Sequence, residues 1–166
     1  MPTAERSRKA KAPKSCHERA LGLLAVRMRS RRELQDRLSR AGFDAEEVDH
    51  ELDRLERVGL IDDDRFADEL AQHAAQVKRS GSRAIASALF AKGVARETID
   101  RVVAGTGEDE EARAEILASS RVGRLRGLPP ATAYQRLTSL LLRRGYGPEV
   151  ARRAAGRALD VESLED

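Results

Sequence analysis

Apolar residues recur at four-residue spacing three times along the chain, and each time the run ends in glycine. Leu34 and Leu38 are followed by Gly42-Phe43, then by Val48 and Leu52. The same order returns as Ile85, Leu89, Gly93-Val94, Ile99 and Val103, and again as Leu137, Leu141, Gly145-Tyr146, Val150 and Ala154. Residues four apart share one helix face, and a glycine one turn later is the left-handed residue that ends the helix. The apolar residue after each glycine folds back onto that helix and sets the entry to the next one. Each copy therefore reads as helix, tight turn, helix. In the third copy Val150 follows its glycine by five residues, whereas Val48 and Ile99 follow theirs by six.

The start signals agree with this reading. Ser30 with Glu33 and Asp44 with Glu47 have the spacing of capping boxes, Thr132 with Gln135 offers a third, and Ser82 is placed to cap the middle copy. Pro148 after Gly147 suits the first position of a helix. A pair of helices needs a third to cover it. His17–Arg29, Asp64–Arg79 and Asp109–Arg126 supply the covers, with Leu21, Leu24 and Met28, then Phe66, Leu70 and Val77, then Ile116 and Leu117 facing inward. The fold expected is all-α, about nine helices in three tandem three-helix repeats, elongated and curved. Its divisions are a disordered basic tail at 1–16, repeats at 17–60, 61–107 and 108–160, and an acidic end at 161–166.

Composition narrows the picture. Apolar residues make up 40% of the 166, but 26 of them are alanine, and only five residues are aromatic. Several thin cores fit this better than one thick one, and the scarcity of strand formers excludes sandwiches, barrels and doubly wound sheets. One cysteine excludes a disulfide framework and points to a reducing compartment. The longest apolar run, Ala20 to Val26, is far below the ~20 residues a spanning helix needs. A cytoplasmic protein with no membrane attachment is expected.

The net charge of +3 conceals segregation. Basic blocks at 1–16, 27–40, 70–106 and 116–157 alternate with acidic ones at 41–69, 107–115 and 158–166. Such blocks give one molecule surfaces of both signs, suited to nucleic acid or a nucleoprotein. The segment Ser30–Arg57 imitates a helix-turn-helix, but Glu46, Glu47, Asp49, Glu51, Asp53 and Glu56 would hold its second helix away from phosphates. Cys16-His17 lacks the spacing of a metal site, and Asp62-Asp63-Asp64 precedes a helix, where carboxylates cap amides and oppose the dipole. No phosphate loop, dinucleotide fingerprint or nucleophile elbow occurs, so neither an enzyme nor a cofactor is expected.

In these residues the chain resembles the RecX family, regulators of the bacterial recombinase RecA. The resemblance runs from about Ala20 to Leu159. It is carried by Arg29-Ser30-Arg31-Arg32-Glu33-Leu34 with Leu38 and Gly42, by Gly59-Leu60-Ile61-Asp62-Asp63 with Arg65-Phe66-Ala67, by Gly81-Ser82-Arg83-Ala84-Ile85 with Lys92-Gly93-Val94, and by Leu141 with Arg143-Arg144-Gly145-Tyr146. It implies a non-enzymatic protein, lodged in the groove of the RecA filament on single-stranded DNA, that inhibits ATP hydrolysis, strand exchange and coprotease activity. The charge blocks then divide the surface. Glu46, Glu47, Asp53, Asp62 and Asp63 would face basic protein, and Arg29, Arg31, Arg32, Arg79, Arg83, Arg121, Arg124, Arg126, Arg143 and Arg144 would face DNA phosphate or acidic subunit surface. Free DNA would bind more weakly, and an array with polar ends suits a monomer. The alternative is a DNA-binding repressor or architectural factor acting alone.

Overall fold

A computed structural model describes residues 14–160. Among these residues there are nine α-helices and no strand. The first repeat holds α1 (Cys16–Leu24), α2 (Arg31–Arg40) and α3 (Ala45–Arg57); the second α4 (Asp63–Gln76), α5 (Ser82–Ala91) and α6 (Arg96–Gly107). The third holds α7 (Glu110–Val122), a 3-10 turn at Gly123–Leu125, α8 (Pro130–Arg143) and α9 (Pro148–Leu159). Each repeat closes its own core. The first is built on Leu34, Leu38, Leu52 and Leu55, the second on Phe66, Ile85, Leu89 and Ile99, and the third on Leu137, Leu141 and Tyr146. The extensive helix–helix contacts all fall inside a repeat, so the repeats meet through their loops.

The glycine turns form as expected. Gly42, Gly93 and Gly145 all have positive φ, and the amide of the following residue returns to the carbonyl of Leu38, Leu89 or Leu141. The first turn of the third repeat's last helix corrects the apparent five-residue interval. Val150 is only half-buried, and Ala151, six residues after Gly145, occupies the fully buried place held by Val48 and Ile99 in the other repeats. Spacing is therefore constant, and a small residue takes the core position because α7 and α9 approach closely over Ala114, Ala118, Ala151, Ala154 and Ala155.

The covering helices depart most from expectation. α1 stops at Leu24 rather than Arg29, and the chain turns at 25–27 and runs irregularly to Ser30. Its inward face is Cys16 and Ala20; Leu21 is exposed, Leu24 packs at the core edge, and Met28 reaches the second repeat's core instead. In α4 the inward positions are Phe66, Ala67, Ala71, Ala74 and Ala75, while Val77 lies in solvent; in α7 Leu117 is buried and Ile116 is not. Alanine, discounted as weakly apolar, builds these faces because it lets helix backbones come together. Ser15 and Cys16 also belong to the first repeat rather than to a tail. Ser15 and Glu18 form a complete capping box, and Cys16 is buried, which raises its thiol pKa. The rest of the expected tail, 1–13, and the acidic end, 161–166, lie outside the described residues.

Caps differ in detail. Ser30 accepts from the Glu33 amide, but the Glu33 carboxylate turns to arginines instead of closing the box. Asp44 accepts from Glu46 rather than Glu47. Gly81, not Ser82, is the cap residue of α5, and α8 begins before Thr132, at Pro130.

The joints between repeats follow one rule used twice. The start of each repeat's second helix docks on the glycine turn of the next repeat. At the first joint Ser30 Oγ donates to the Lys92 carbonyl at 2.6 Å, and Arg32 lies where a Cβ on Gly93 would stand. At the second, the Gly81 amide donates to the Arg144 carbonyl at 2.9 Å, the Arg83 amide to the Gly145 carbonyl at 3.1 Å, and Ala84 overlaps any Cβ on Gly145. The first amide of each docked helix finds a carboxylate at the start of the next repeat: Arg31 to Asp63 and Ser82 to Glu110, both at 2.8 Å. Tyr146, wholly buried, completes the second joint by donating its hydroxyl to the Arg79 carbonyl at 2.7 Å. The third repeat does not repeat the pattern. Its second helix begins one turn earlier with Pro129-Pro130, and proline at the first helical position has no amide to offer.

Glu33 ties the first joint electrostatically. Its side chain is 11% exposed and gathers Arg27, Arg29 at 2.9 Å, Arg37 at 3.7 Å and Lys92 of the second repeat at 3.6 Å. Burial pushes its carboxyl pKa up, but the Arg27 hydrogen bond and the charges of Lys92, Arg27 and Arg29 outweigh burial and hold it below the usual range.

Two outcomes follow. Gly145→Ala, strained by φ and blocked by Ala84, should lower stability by on the order of 2–4 kcal/mol. Gly42→Ala, strained but in open space, should lower it by about 1 kcal/mol. Denaturant titration of both variants reads the difference, and equal losses would show that the second joint carries no load. Glu33→Gln should cost about 1.5–3 kcal/mol at pH 7. Because the folded pKa is depressed, that stability is present above the unfolded value of ~4.3 and disappears as pH falls through the folded one. The gap between wild type and variant in urea melts should therefore narrow progressively as pH falls below ~4.3.

Candidate functional site

The residues expected to face partners divide according to how much of their charge the chain itself neutralises. In the first repeat it neutralises most of it. Arg29, expected on the surface, is 6% exposed: its Nε donates to the Leu23 carbonyl at 3.1 Å and its Nη1 meets Glu33. It anchors the segment 25–30 and is buried rather than presented on the surface. Arg31 pairs with Asp53 at 2.7 Å and Glu56 at 2.8 Å, and Arg32 lies 3.4 Å from Asp36. Arg31 and Asp53, expected on surfaces of opposite sign, are thus bound to each other.

The acidic set is reduced in the same way. Asp62 caps α4 through the Arg65 amide, and Asp63 accepts the Arg31 amide across the first joint. Burial and the nearby Glu56 raise the Asp63 carboxyl pKa, with the Arg31 amide pulling the other way. Asp64, the third of the run, binds Thr98 and Arg101, whose hydrogen bonds lower its pKa. The triplet is bound up in structure. Glu46 and Glu47, exposed on the first turn of α3, have no ion-pair partner among the described residues and remain the open acidic face.

At the second joint Arg79 adopts positive φ, and its side chain lines a cavity of about 560 Å³ between the second and third repeats together with Arg101 and Arg113. Arg144 donates to the Lys78 carbonyl at 2.9 Å, and Arg83 is exposed at the start of α5. Arg113 escaped the sequence reading. Its Nε and Nη2 are buried with no partner among the described residues.

The third repeat is arranged differently. Its acids lie on the side of α7 that faces α9, where Glu111 pairs with Arg153 and Glu115 with Arg157. Arg121, at the end of α7, and Arg124, in the 3-10 turn after it, meet Arg143 of α8 around a cleft of about 450 Å³. Arg136 joins them from α8 and was missed, although its seven-residue spacing from Arg143 places both on one helix face. None of these four has an acidic partner among the described residues, whereas the first repeat's arginines are largely paired. Arg126 is exposed outside the cleft.

No described helix is long and apolar enough to cross a membrane, and no group of three or more potential metal-binding side chains occurs among the described residues. Family models for the first, second and third three-helix domains of RecX match residues 16–55, 62–103 and 108–155. The regulatory protein RecX of Mycobacterium tuberculosis (strain H37Rv) is 36% identical over 154 residues, covering 90% of this chain and 85% of the relative. That of Mycobacterium avium is 38% identical over 151 residues, with the same coverage. Crystal structures of RecX from Lactobacillus salivarius and of another regulatory protein RecX superpose with TM-scores of 0.78 and 0.77, at 18% and 24% identity. They cover 88% and 84% of this chain and 95% and 70% of their own, and they establish the fold. With all three domain models matched in order along the chain, the protein belongs to the RecX family.

Proposed function

We propose that this chain regulates the RecA recombinase by lodging in the groove of the RecA filament on single-stranded DNA. There it restrains ATP hydrolysis, strand exchange and coprotease activity without chemistry of its own. The observation that carries the reading is the uneven distribution of unspent charge along a linear array. Glu46 and Glu47 are free on the first repeat, and Arg121, Arg124, Arg136 and Arg143 are free on the third. Three cores in tandem, each docked by a helix start on the next repeat's turn, would form an elongated, curved body that can touch successive subunits, with the acidic end against basic protein and the basic end towards nucleic acid or an acidic subunit face. A body bound across subunits stabilises the arrangement it fits and opposes the motions that turnover requires, by as much as its affinity differs between the two states. Several weak contacts on one rigid body add through effective concentration. Arg29 takes no part, and Arg31 would have to leave Asp53 and Glu56 to engage a partner. The setting is the cytoplasm and the acting species a monomer.

ATP hydrolysis by RecA on single-stranded DNA, titrated with this protein, should fall towards a low plateau. The double variant Glu46→Lys/Glu47→Lys should need at least fivefold more protein for the same effect while keeping the wild-type melting temperature. An unchanged hydrolysis rate at saturating protein would end the regulatory reading, and equal potency of the variant would remove the acidic face from it.

A further inference from the structure

The cleft in the third repeat has the chemistry of a specific ligand rather than of a generally basic surface. Arg121 and Arg124 come from the end of α7 and the turn after it, Arg136 and Arg143 from one face of α8 two turns apart, so arginines line the cleft from both sides. The floor between them is Leu125, Leu137 and Leu140. The Arg121 Nε is buried with no hydrogen-bond partner among the described residues. An orphaned buried donor on a charged group is costly, and an anion in the cleft would relieve it. Cationic walls over an apolar floor suit a ligand with repeating anions and apolar faces between them. At about 450 Å³ the space takes groups of nucleotide size and not a duplex.

We infer that this cleft holds the phosphodiester backbone of a single-stranded nucleic acid, with Arg121, Arg124, Arg136 and Arg143 as phosphate ligands and the leucine floor under a sugar or base. Planar guanidinium forks match phosphate oxygens two at a time. No aromatic side chain lines the cleft, so binding is tolerant of sequence and governed by salt. The inference deepens the proposed function by naming where nucleic acid would be held, and it stands on geometry that does not involve RecA.

Fluorescence anisotropy with a labelled oligothymidylate at low salt tests it with the full chain. Arg136→Glu should weaken binding at least tenfold. Arg96→Glu, the same charge change on the exposed side of α6, should weaken it less than twofold. Arg136→Ala should reduce the slope of log K against log salt by about 0.7, the loss of one phosphate contact on a single strand. Circular dichroism melts check that the variants stay folded; should Arg136→Glu not fold, Arg136→Ala and Arg143→Ala carry the comparison. Absent binding by the wild type, equal losses for Arg136→Glu and Arg96→Glu, or equally tight Arg136-dependent binding of polyglutamate would each overturn the assignment, the last in favour of an acidic protein segment. Inhibition of RecA without oligonucleotide binding would remove the cleft and leave the proposed function. Cleft-dependent oligonucleotide binding without inhibition would do the reverse.

Discussion

The architecture depends on one steric constraint. Gly93 and Gly145 must lack a side chain twice over, once because their backbone turns through positive φ and once because the next helix start lies where a Cβ would be. That contact allows a helix end and a turn to meet as backbone surfaces, with amides and carbonyls pairing directly across the joint. It explains how three small cores stay in fixed relation without burying much side chain between them. Gly42 has positive φ too but open space around it, with nothing docked on its turn among the described residues. In the third repeat Pro129-Pro130 takes the place of the docking amides.

The same joints decide where charge is neutralised. Glu33, Asp63 and Glu110 each serve a joint, and the arginines around the first joint collapse onto carboxylates. In the third repeat Glu111 and Glu115 pair with α9, and the cleft between the end of α7 and α8 keeps arginines with no acidic partner among the described residues. Polarity along the chain thus arises from the segregated charge blocks of the sequence together with the way the joints pair them.

Much of this was legible in the chain. Helix–glycine–helix repetition depends on local spacing and local conformation, both of which sequence encodes, so the nine helices and the three turns were readable. The inward faces of the covering helices were not, because alanines such as Ala67, Ala71 and Ala75 look weakly apolar until a close neighbour makes them core. Arg29 was misplaced for a related reason: an arginine in a surface motif is buried only because the turn after α1 carries it onto Glu33 and Leu23. Asp53 and Arg31 are 22 residues apart, and nothing local reveals that they meet. The cleft was half visible, since Arg136 and Arg143 share a face by simple helical spacing. Whether an acid would quench them depended on the direction in which Glu111 and Glu115 point.

On the proposed function, opposite ends of one array engage a nucleoprotein filament through different chemistry. Hydrogen–deuterium exchange on the chain bound to RecA filaments, compared with the free chain, measures this most directly. The account predicts slowed exchange in two separated segments, the first turn of α3 around Glu46 and the stretch from Arg121 to Arg143, with the joints unchanged. Protection confined to a single repeat, or uniform slowing without a pattern, would contradict it.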